Sequence, residues 1–98
     1  MTVAPDLVEA YERFMRRVHI PDLLATGCFH GATFTRSEQG RYRVRFEAPS
    51  EASLERYLGT HAQRLREDFS SHFPQGVTGA REVWVAIQHW DAPPDVAG

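Results

Sequence analysis

Apolar residues recur every three or four positions in two stretches of the chain, which is the period of a helix that buries one face. The first stretch runs from Pro5 to Val18, and Pro21 is expected to end it, because a proline disfavours helical backbone in the residue before it. The second follows Pro49, where Ser50 is suited to cap a helix N-terminus. The apolar stripe of the second stretch consists of Leu54, Tyr57, Leu58, His61, Leu65, Phe69 and Phe73. Gly59 is expected to divide this helix, since glycine in a helix interior costs about 1 kcal/mol relative to alanine.

Between these helices, two segments have the alternation and the aromatic and β-branched residues of strands. They run from Cys28 to Arg36 and from Arg41 to Ala48, and the polar segment Ser37–Gly40 is predicted to join them as a four-residue hairpin loop. A loop of that length sets Arg36 opposite Arg41. It places on one face of the hairpin His30, Ala32, Phe34, Arg43, Arg45 and Glu47. It places on the other face Phe29, Thr33, Tyr42, Val44 and Phe46.

A last strand is predicted near the C-terminus, where Arg81–Trp90 alternates Val83, Val85 and Ile87 with other residues. At the N-terminus, Met1–Ala4 is long enough for only a short strand. The predicted order β-α-β-β-α-β is that of the ferredoxin-like α+β fold, in which two helices cover one face of a four-stranded antiparallel sheet. We therefore predict a single ferredoxin-like domain over residues 1–90 and a disordered C-terminal tail over residues 91–98.

The helices of such a fold leave one face of the sheet uncovered. The side chains predicted on that face, or beside it, combine aromatic and charged groups: His30, Phe34, Arg43, Arg45, Glu47 and Trp84. Such a mixture is unusual for a surface in contact with water alone, and a second copy is the commonest partner that closes an assembly. We predict that these residues form a homodimer interface. Two interpretations of the arginines stay open: they pair across the two-fold axis or with Glu82, or they bind an anion inside the dimer.

Composition and charge exclude several classes of protein. A chain of 98 residues is too short for two hydrophobic cores, and a net charge of −2 argues against a general nucleic-acid binder, which must neutralise phosphates. The apolar runs are far shorter than a membrane span, the lone Cys28 cannot form an intramolecular disulfide, and Met1–Pro5 lacks the features of a secretory signal. We expect a cytoplasmic protein with no nucleic-acid and no membrane partner. All 11 basic residues are arginine, with neither lysine nor asparagine present, which indicates a GC-rich, bacterial gene.

The five histidines lack the spacing of a zinc site, because the chain has no HxxxH or HExxH motif and no cysteine pair. We expect no metal and no cofactor. Tyr57, His61 and His19 are nevertheless candidate polar contacts for a ligand in a cleft between the helices and the sheet, since His61 lies one turn after Tyr57 on the apolar stripe. The alternative is that His61 only packs and that His19 is a cation at a helix C-terminus. These patterns assign no catalytic residue.

Several segments resemble a small bacterial family known as domain of unknown function 4286. The most specific is the run His19–Phe29, and the segments Tyr42–Phe46, Leu54–Leu58 and His61–Arg66 match in order and spacing. The resemblance implies a dimeric α+β barrel, in which two ferredoxin-like sheets meet through their open faces, and it transfers no activity to any residue. The chain departs from the family pattern in its short first strand and at Gln63, where a proline is common.

Three functions are consistent with these features. The first is a homodimer that binds a small apolar or aromatic molecule in the helix-sheet cleft. The second is a cofactor-independent oxygenase or isomerase, in which His61 is a general base and Tyr57 or Trp84 orients the substrate. The third is a purely structural dimerisation module, so whether the protein is an enzyme stays open. A hollow cleft of ligand size would favour the first two functions, and a filled cleft would favour the third.

Overall fold

Helices and strands mix along the chain in the computed structural model, which describes residues 1–94. The strands are β1 (Thr2–Val3), β2 (Gly31–Arg36), β3 (Tyr42–Glu47) and β4 (Val77–Thr78). The helices are α1 (Val8–Phe14), α2 (Ile20–Ala25), α3 (Glu51–Thr60) and α4 (Ala62–His72). A 3₁₀ turn, Pro5–Leu7, leads into α1, and a π-helical turn, Met15–His19, joins α1 to α2. The predicted α+β class is confirmed.

The first helical segment continues through Pro21, where the sequence predicted its end. The backbone N–H of Ile20 donates to the carbonyl of Met15, the five-residue spacing of a π-helix. A proline ring collides with the carbonyl four residues earlier in a regular α-helix, and the wider π turn relieves that collision before Pro21. The segment ends at Gly27, whose φ of 76° is the left-handed conformation that favours glycine after a helix.

The second helical segment is capped at Ser50, as predicted. The Ser50 hydroxyl accepts a hydrogen bond from the backbone N–H of Ser53 at 3.1 Å. The break expected at Gly59 lies instead at His61, whose φ of −119° and ψ of −30° separate α3 from α4. Gly59 is exposed and stays within α3. The change of helix direction therefore falls at the histidine that the sequence placed on the apolar stripe.

The hairpin register differs by one residue from the predicted one. Arg36 lies opposite Tyr42 rather than Arg41, because Gly40 adopts a φ of 79° and adds a bulged residue to the turn. The turn is closed by hydrogen bonds from Gly40 N–H to the Ser37 carbonyl at 3.0 Å and from Ser37 N–H to the Arg41 carbonyl at 2.8 Å. Because neighbouring residues of a strand point to opposite faces, this slip exchanges the faces of β2.

The change of register corrects the predicted position of Phe34. It lies opposite Val44 and stacks on Tyr42 with ring centroids 5.6 Å apart, on the face that the helices cover. The residues of the uncovered face, called here the outer face, are Gly31, Thr33, Thr35, Arg43, Arg45 and Glu47. Phe34 therefore packs inside the protomer, and the prediction that it lies on the open face was wrong.

The strands form two antiparallel sheets of two strands each, one from β1 and β4 and one from β2 and β3. The two sheets meet at a single residue pair. The backbone N–H of Tyr42 donates to the Met1 carbonyl at 2.8 Å, and the Met1 amino group donates to the Tyr42 carbonyl at 2.5 Å. The predicted short strand in Met1–Ala4 is confirmed as Thr2–Val3.

The strand predicted over Arg81–Trp90 does not form within residues 1–94, so that prediction was wrong. We call this segment the arm. The chain's last strand in this range is the two-residue β4, which ends before the arm begins. β1 has the same length, and both of its residues pair with β4. Residues 91–94 are exposed and have no regular secondary structure, and residues 95–98 of the predicted tail lie outside the described part.

Two clusters of buried side chains form the interior. The first, called the Tyr11 core, packs α1 against the hairpin and the end of α4 and contains Val3, Tyr11, Phe14, Met15, Tyr42 and Phe73. The second, called the Tyr57 core, packs α2, α3 and α4 together and contains Leu23, Cys28, Tyr57, Ala62 and Leu65. The helices thus cover one face of the hairpin and leave the outer face free.

Candidate functional site

The three predicted ligand contacts do not meet at one place. Tyr57 is buried in the Tyr57 core, and the centroids of the Tyr57 and His61 rings lie 6.4 Å apart. His19 belongs to the other side of the protein, where its ring lies 5.9 Å from that of Phe14 and 5.3 Å from that of Phe69. The structure therefore brings Tyr57 and His61 together but not His19.

The cleft around Tyr57 is filled by side chains. The Tyr57 ring packs at a centroid distance of 4.9 Å on Phe29, and Leu65 and Cys28 beside it are 1% and 0% exposed. Burial raises the pKa of the Tyr57 hydroxyl, so this group is neutral at physiological pH. Two open depressions of the described surface, of about 470 and 310 Å³, are lined by other residues. The filled cleft favours the structural module among the three predicted functions.

The smaller depression lies beside a carboxylate that the sequence did not single out. Glu12 of α1 accepts hydrogen bonds from the hydroxyl of Tyr42 at 2.5 Å, from Arg36 at 3.3 Å and from Arg16 at 3.4 Å. The bond from Tyr42, with the nearby arginines, holds the pKa of Glu12 below its usual 4.5. With its oxygens so occupied, Glu12 joins α1 to the hairpin and is poorly suited to accept a substrate proton.

Cys28 has a cationic neighbour that its position in the sequence did not reveal. The guanidinium Nε of Arg56 lies 3.4 Å from Cys28 Sγ, and its Nη2 donates to the Gly27 carbonyl at 3.1 Å. Burial opposes the thiolate, but the contacts with Arg56 and Thr26 prevail and lower the pKa of Cys28 below 9.0. Cys28 is buried in the folded protein, and the contacts of Arg56 with Cys28 and Gly27 hold the end of α2 against α3.

His19 is half-buried, and it has the clearest electrostatic consequence among the histidines. Its Nδ1 atom is buried and has no hydrogen-bond partner within the described residues. Burial lowers the pKa of His19 below 6.5, although Asp68 and Asp22 act in the opposite direction. A histidine in such a place is held in its neutral form, so charging it works against the folded state.

We expect the free energy of unfolding to fall as the pH drops below 6.5. In that range His19 binds a proton in the unfolded chain but stays neutral in the folded protein. The loss ends once the pH has passed the lowered pKa of the folded state. Urea unfolding at several pH values between 7.5 and 5 measures this, and the His19→Phe variant should lose less stability over the range. His72→Gln is the matched control, since His72 is exposed on the same side of the protein; equal pH dependence in both variants would contradict the assignment to His19.

The predicted interface residues other than Phe34 and Trp84 gather on or beside the outer face. Arg43 lies opposite Thr35, and Arg45 lies opposite Thr33. Glu47 pairs with Arg45 at 3.2 Å and with His30 at 3.3 Å. This small network lies at one end of the face, whereas no ion pair within the described residues involves Arg43.

Trp84 lies outside the hairpin, in the arm. Its side chain is 83% exposed, so the prediction that it lines the uncovered sheet face is not realised within one chain. A tryptophan in this position keeps a large apolar surface in contact with water, which is unusual unless a partner covers it. The arm is therefore a second surface, separate from the outer face, that is available to a partner.

Comparison with protein families identifies the chain. The sequence profile described as a domain of unknown function, DUF4286, matches residues 1–87. The chain belongs to the DUF4286 family. The match confirms the resemblance seen in the sequence, and it extends from the first residue into the arm. Comparisons with curated proteins and with solved structures found no match.

The remaining chemistry of the described residues is sparse. No group of three or more histidine, cysteine, aspartate or glutamate side chains within residues 1–94 is arranged to hold a metal ion. In the same range, no helix has the length and the apolar composition to span a membrane. The surfaces that the geometry leaves for this DUF4286 protein to use are the outer face and the arm.

Proposed function

We propose that this DUF4286 protein is a self-association module, in which two copies join through their outer faces as a dimeric α+β barrel. The observation that carries the proposal is the filled cleft: Tyr57, Leu65 and Cys28 occupy the space in which a small molecule would bind. What is left for recognition is the outer face of the hairpin and the arm, and of these the outer face has a fixed backbone. Two sheets that meet through such faces bury both of them in one symmetric contact.

The strand contacts support a ferredoxin-like protomer. β4 pairs with β1, the pair formed by Met1 and Tyr42 sets β1 beside β3, and β3 pairs with β2. The neighbours thus follow the order β4, β1, β3, β2. We propose that the short β1 and β4 are the middle and the edge of one four-stranded sheet, which is completed in the dimer.

The outer face has the chemistry of a specific polar contact rather than of an apolar one. It alternates threonines on β2 with arginines on β3, and Glu47 and His30 lie at one end. Threonine hydroxyls and arginine guanidinium groups can satisfy one another or a carboxylate across a two-fold axis. Such a polar contact fixes register and orientation, while apolar burial must supply most of the affinity.

Light scattering on the purified chain tests this proposal. At micromolar concentration the measured mass should be twice that of one chain, and dilution should shift the mass toward that of the monomer with a single dissociation constant. High salt should weaken the dimer only moderately, because charges buried at an interface are screened less than exposed ones. A monomer at all concentrations up to the millimolar range would overturn the proposal.

A further inference from the structure

The arm has the composition of a buried strand but lies open to water. Its large apolar side chains are among the most exposed in the described chain, with Ile87 at 98%, Trp84 at 83% and Val85 at 73%. If the backbone were extended as a strand, Val83, Val85 and Ile87 would point to one side, and Glu82, Trp84 and Ala86 would point to the other. Since both sides carry apolar groups, this is the pattern of a strand with neighbours on both faces.

The overall dimensions agree with a segment that leaves the body of the protein. The radius of gyration is 15.5 Å, whereas a compact chain of this length has one of about 13 Å. The family match extends to residue 87, so most of the arm belongs to the domain that defines the family. The arm is thus a part of the domain that finds no partner within residues 1–94.

In the same protomer, one edge of β3 has no neighbouring strand beyond Met1 among the described residues. Tyr42 directs its backbone N–H and carbonyl toward Met1. Because alternate residues of a strand direct these groups to the same edge, Val44 and Phe46 direct theirs to the edge of β3 that faces away from β2. No strand within residues 1–94 continues along that edge beyond Met1. Among the described residues, the donors and acceptors of Val44 and Phe46 at that edge have no strand partner, so they can receive an incoming strand.

We propose that the arm of each copy adds as a strand to the β3 edge of a second copy, at Val44 and Phe46. This inference rests on the proposed self-association and names the segment that supplies its affinity. Each protomer has one arm and one bare edge, so two copies can exchange arms reciprocally and close the assembly. Strand addition of this kind takes its affinity from main-chain hydrogen bonds and its specificity from the alternate side chains.

The side chains of the arm match the two faces of β3. With Val83, Val85 and Ile87 directed to the helix-covered face, they extend the apolar surface of Val44 and Phe46, which are only partly buried in one chain. Glu82 and Trp84 then lie on the side of the outer face. There they meet the arginines of β3, where a carboxylate can form an ion pair and an indole ring can stack on a guanidinium group.

The exchange would bury apolar surface that is now exposed. A buried tryptophan removes about 150–250 Å² from water, and the exchange would bury Trp84 and the arm's aliphatic side chains in both copies. Specific interfaces typically bury about 1,200–2,000 Å², and the two arms would supply part of that area beside the outer faces. The arm would contribute the apolar burial that the outer face lacks.

Substitution within the arm tests the proposal. The double variant Val85→Asp with Ile87→Asp introduces charges on the side that is to be buried, and we expect its dimer to dissociate at least tenfold more readily than the native dimer. The matched control is Ala80→Asp with Ala92→Asp, which adds the same charges just outside the arm and should leave the dimer unchanged. Sedimentation over a concentration series gives both constants.

Hydrogen exchange in the full-length protein locates the contact. The amide protons of Val44 and Phe46 should be protected in the native dimer and lose that protection in the Val85→Asp, Ile87→Asp variant. Those of Arg43 and Arg45 face β2 and serve as the internal reference for an intact hairpin. Samples that mix isotope-labelled and unlabelled chains should show contacts from the arm to β3 between different chains.

The outcomes separate this inference from the proposed function. A native dimer with rapidly exchanging Val44 and Phe46 amides, insensitive to the arm variant, would overturn the arm exchange and leave self-association standing. A monomeric native protein would overturn both. Protection of the two amides in a monomer would also overturn the exchange, since the edge would then be filled from within the same chain.

Discussion

Replacing Tyr11 by alanine should destabilise the protein by about 3–5 kcal/mol, the range measured when a large buried aromatic side chain is truncated. Tyr11 is 0% exposed, and its ring contacts those of Phe34, Tyr42, Phe69 and Phe73 at centroid distances of 6.0, 5.0, 6.3 and 6.0 Å. It therefore joins α1, the hairpin and the end of α4 at one point. A small domain has a total stability of about 5–15 kcal/mol, so the loss is a large fraction of the total. Urea unfolding followed by circular dichroism, rather than by tryptophan fluorescence, measures the loss of stability.

The matched control is Tyr11→Phe, which keeps the ring and removes only the hydroxyl. That hydroxyl donates to the sulfur of Met1 at 3.1 Å, and a thioether is a weak acceptor. Burial and the neighbouring Tyr42 raise the pKa of Tyr11 to about 12, so no charge is lost with the hydroxyl near neutral pH. We expect the control to lose less than about 1.5 kcal/mol. An alanine variant as stable as the phenylalanine variant would show that the Tyr11 core does not hold the three elements together.

The parts of this structure that sequence reasoning predicted are those that depend on neighbouring residues. The helical periods, the Ser50 cap and the existence of the hairpin all arise within a few positions of the chain. The hairpin register depends on whether Gly40 adds a bulge, and a four-residue loop and a bulged turn have the same composition. One residue of difference was enough to place Phe34 on the wrong face.

The parts that were missed depend on residues far apart in the chain. The bond from Tyr42 to Glu12 joins positions 30 residues apart, and a polar tyrosine on an apolar face gives no sign of its partner. His19 was grouped with Tyr57 and His61 because its position before Pro21 could bring it to the same cleft, yet its ring packs on Phe14 and Phe69. The alternation in the arm predicted a strand, but no strand forms there within residues 1–94, and the pattern cannot identify a strand on which the arm would pack.

These differences change how the functional residues are interpreted. With Phe34 inside the protomer and Trp84 in the arm, the outer face keeps only polar and charged members of the predicted interface. A polar face alone gives orientation more than affinity, whereas the arm carries exposed apolar groups without a fixed position. The two surfaces therefore complement each other, and the charges of the outer face are the place where the orientation of the dimer can be tested.

Reversing the charges of Arg43 and Arg45 should dissociate the dimer. The two residues are on alternate positions of β3, so they project from the outer face about 7 Å apart, and Arg45 already neutralises Glu47 at 3.2 Å. Arg43→Glu with Arg45→Glu leaves three carboxylates on this face, and the two-fold axis doubles them. Like charges brought together at an interface cost several kcal/mol, and we expect a dissociation constant at least a hundredfold higher, measured by sedimentation with circular dichroism as the check on folding.

Two controls separate charge from other effects of these substitutions. Arg43→Gln with Arg45→Gln removes the positive charges without adding negative ones and should weaken the dimer much less, because glutamine can still donate hydrogen bonds across the axis. Arg13→Glu with Arg17→Glu makes the same change in net charge on exposed helical positions, away from the outer face, and should leave the dimer intact. A contrary result would be a folded dimer that has lost a salt-sensitive affinity for phosphate or RNA. Contacts to phosphates weaken steeply with salt, so this result would show that the arginines form a basic binding surface. The outer face would then not be the dimer interface.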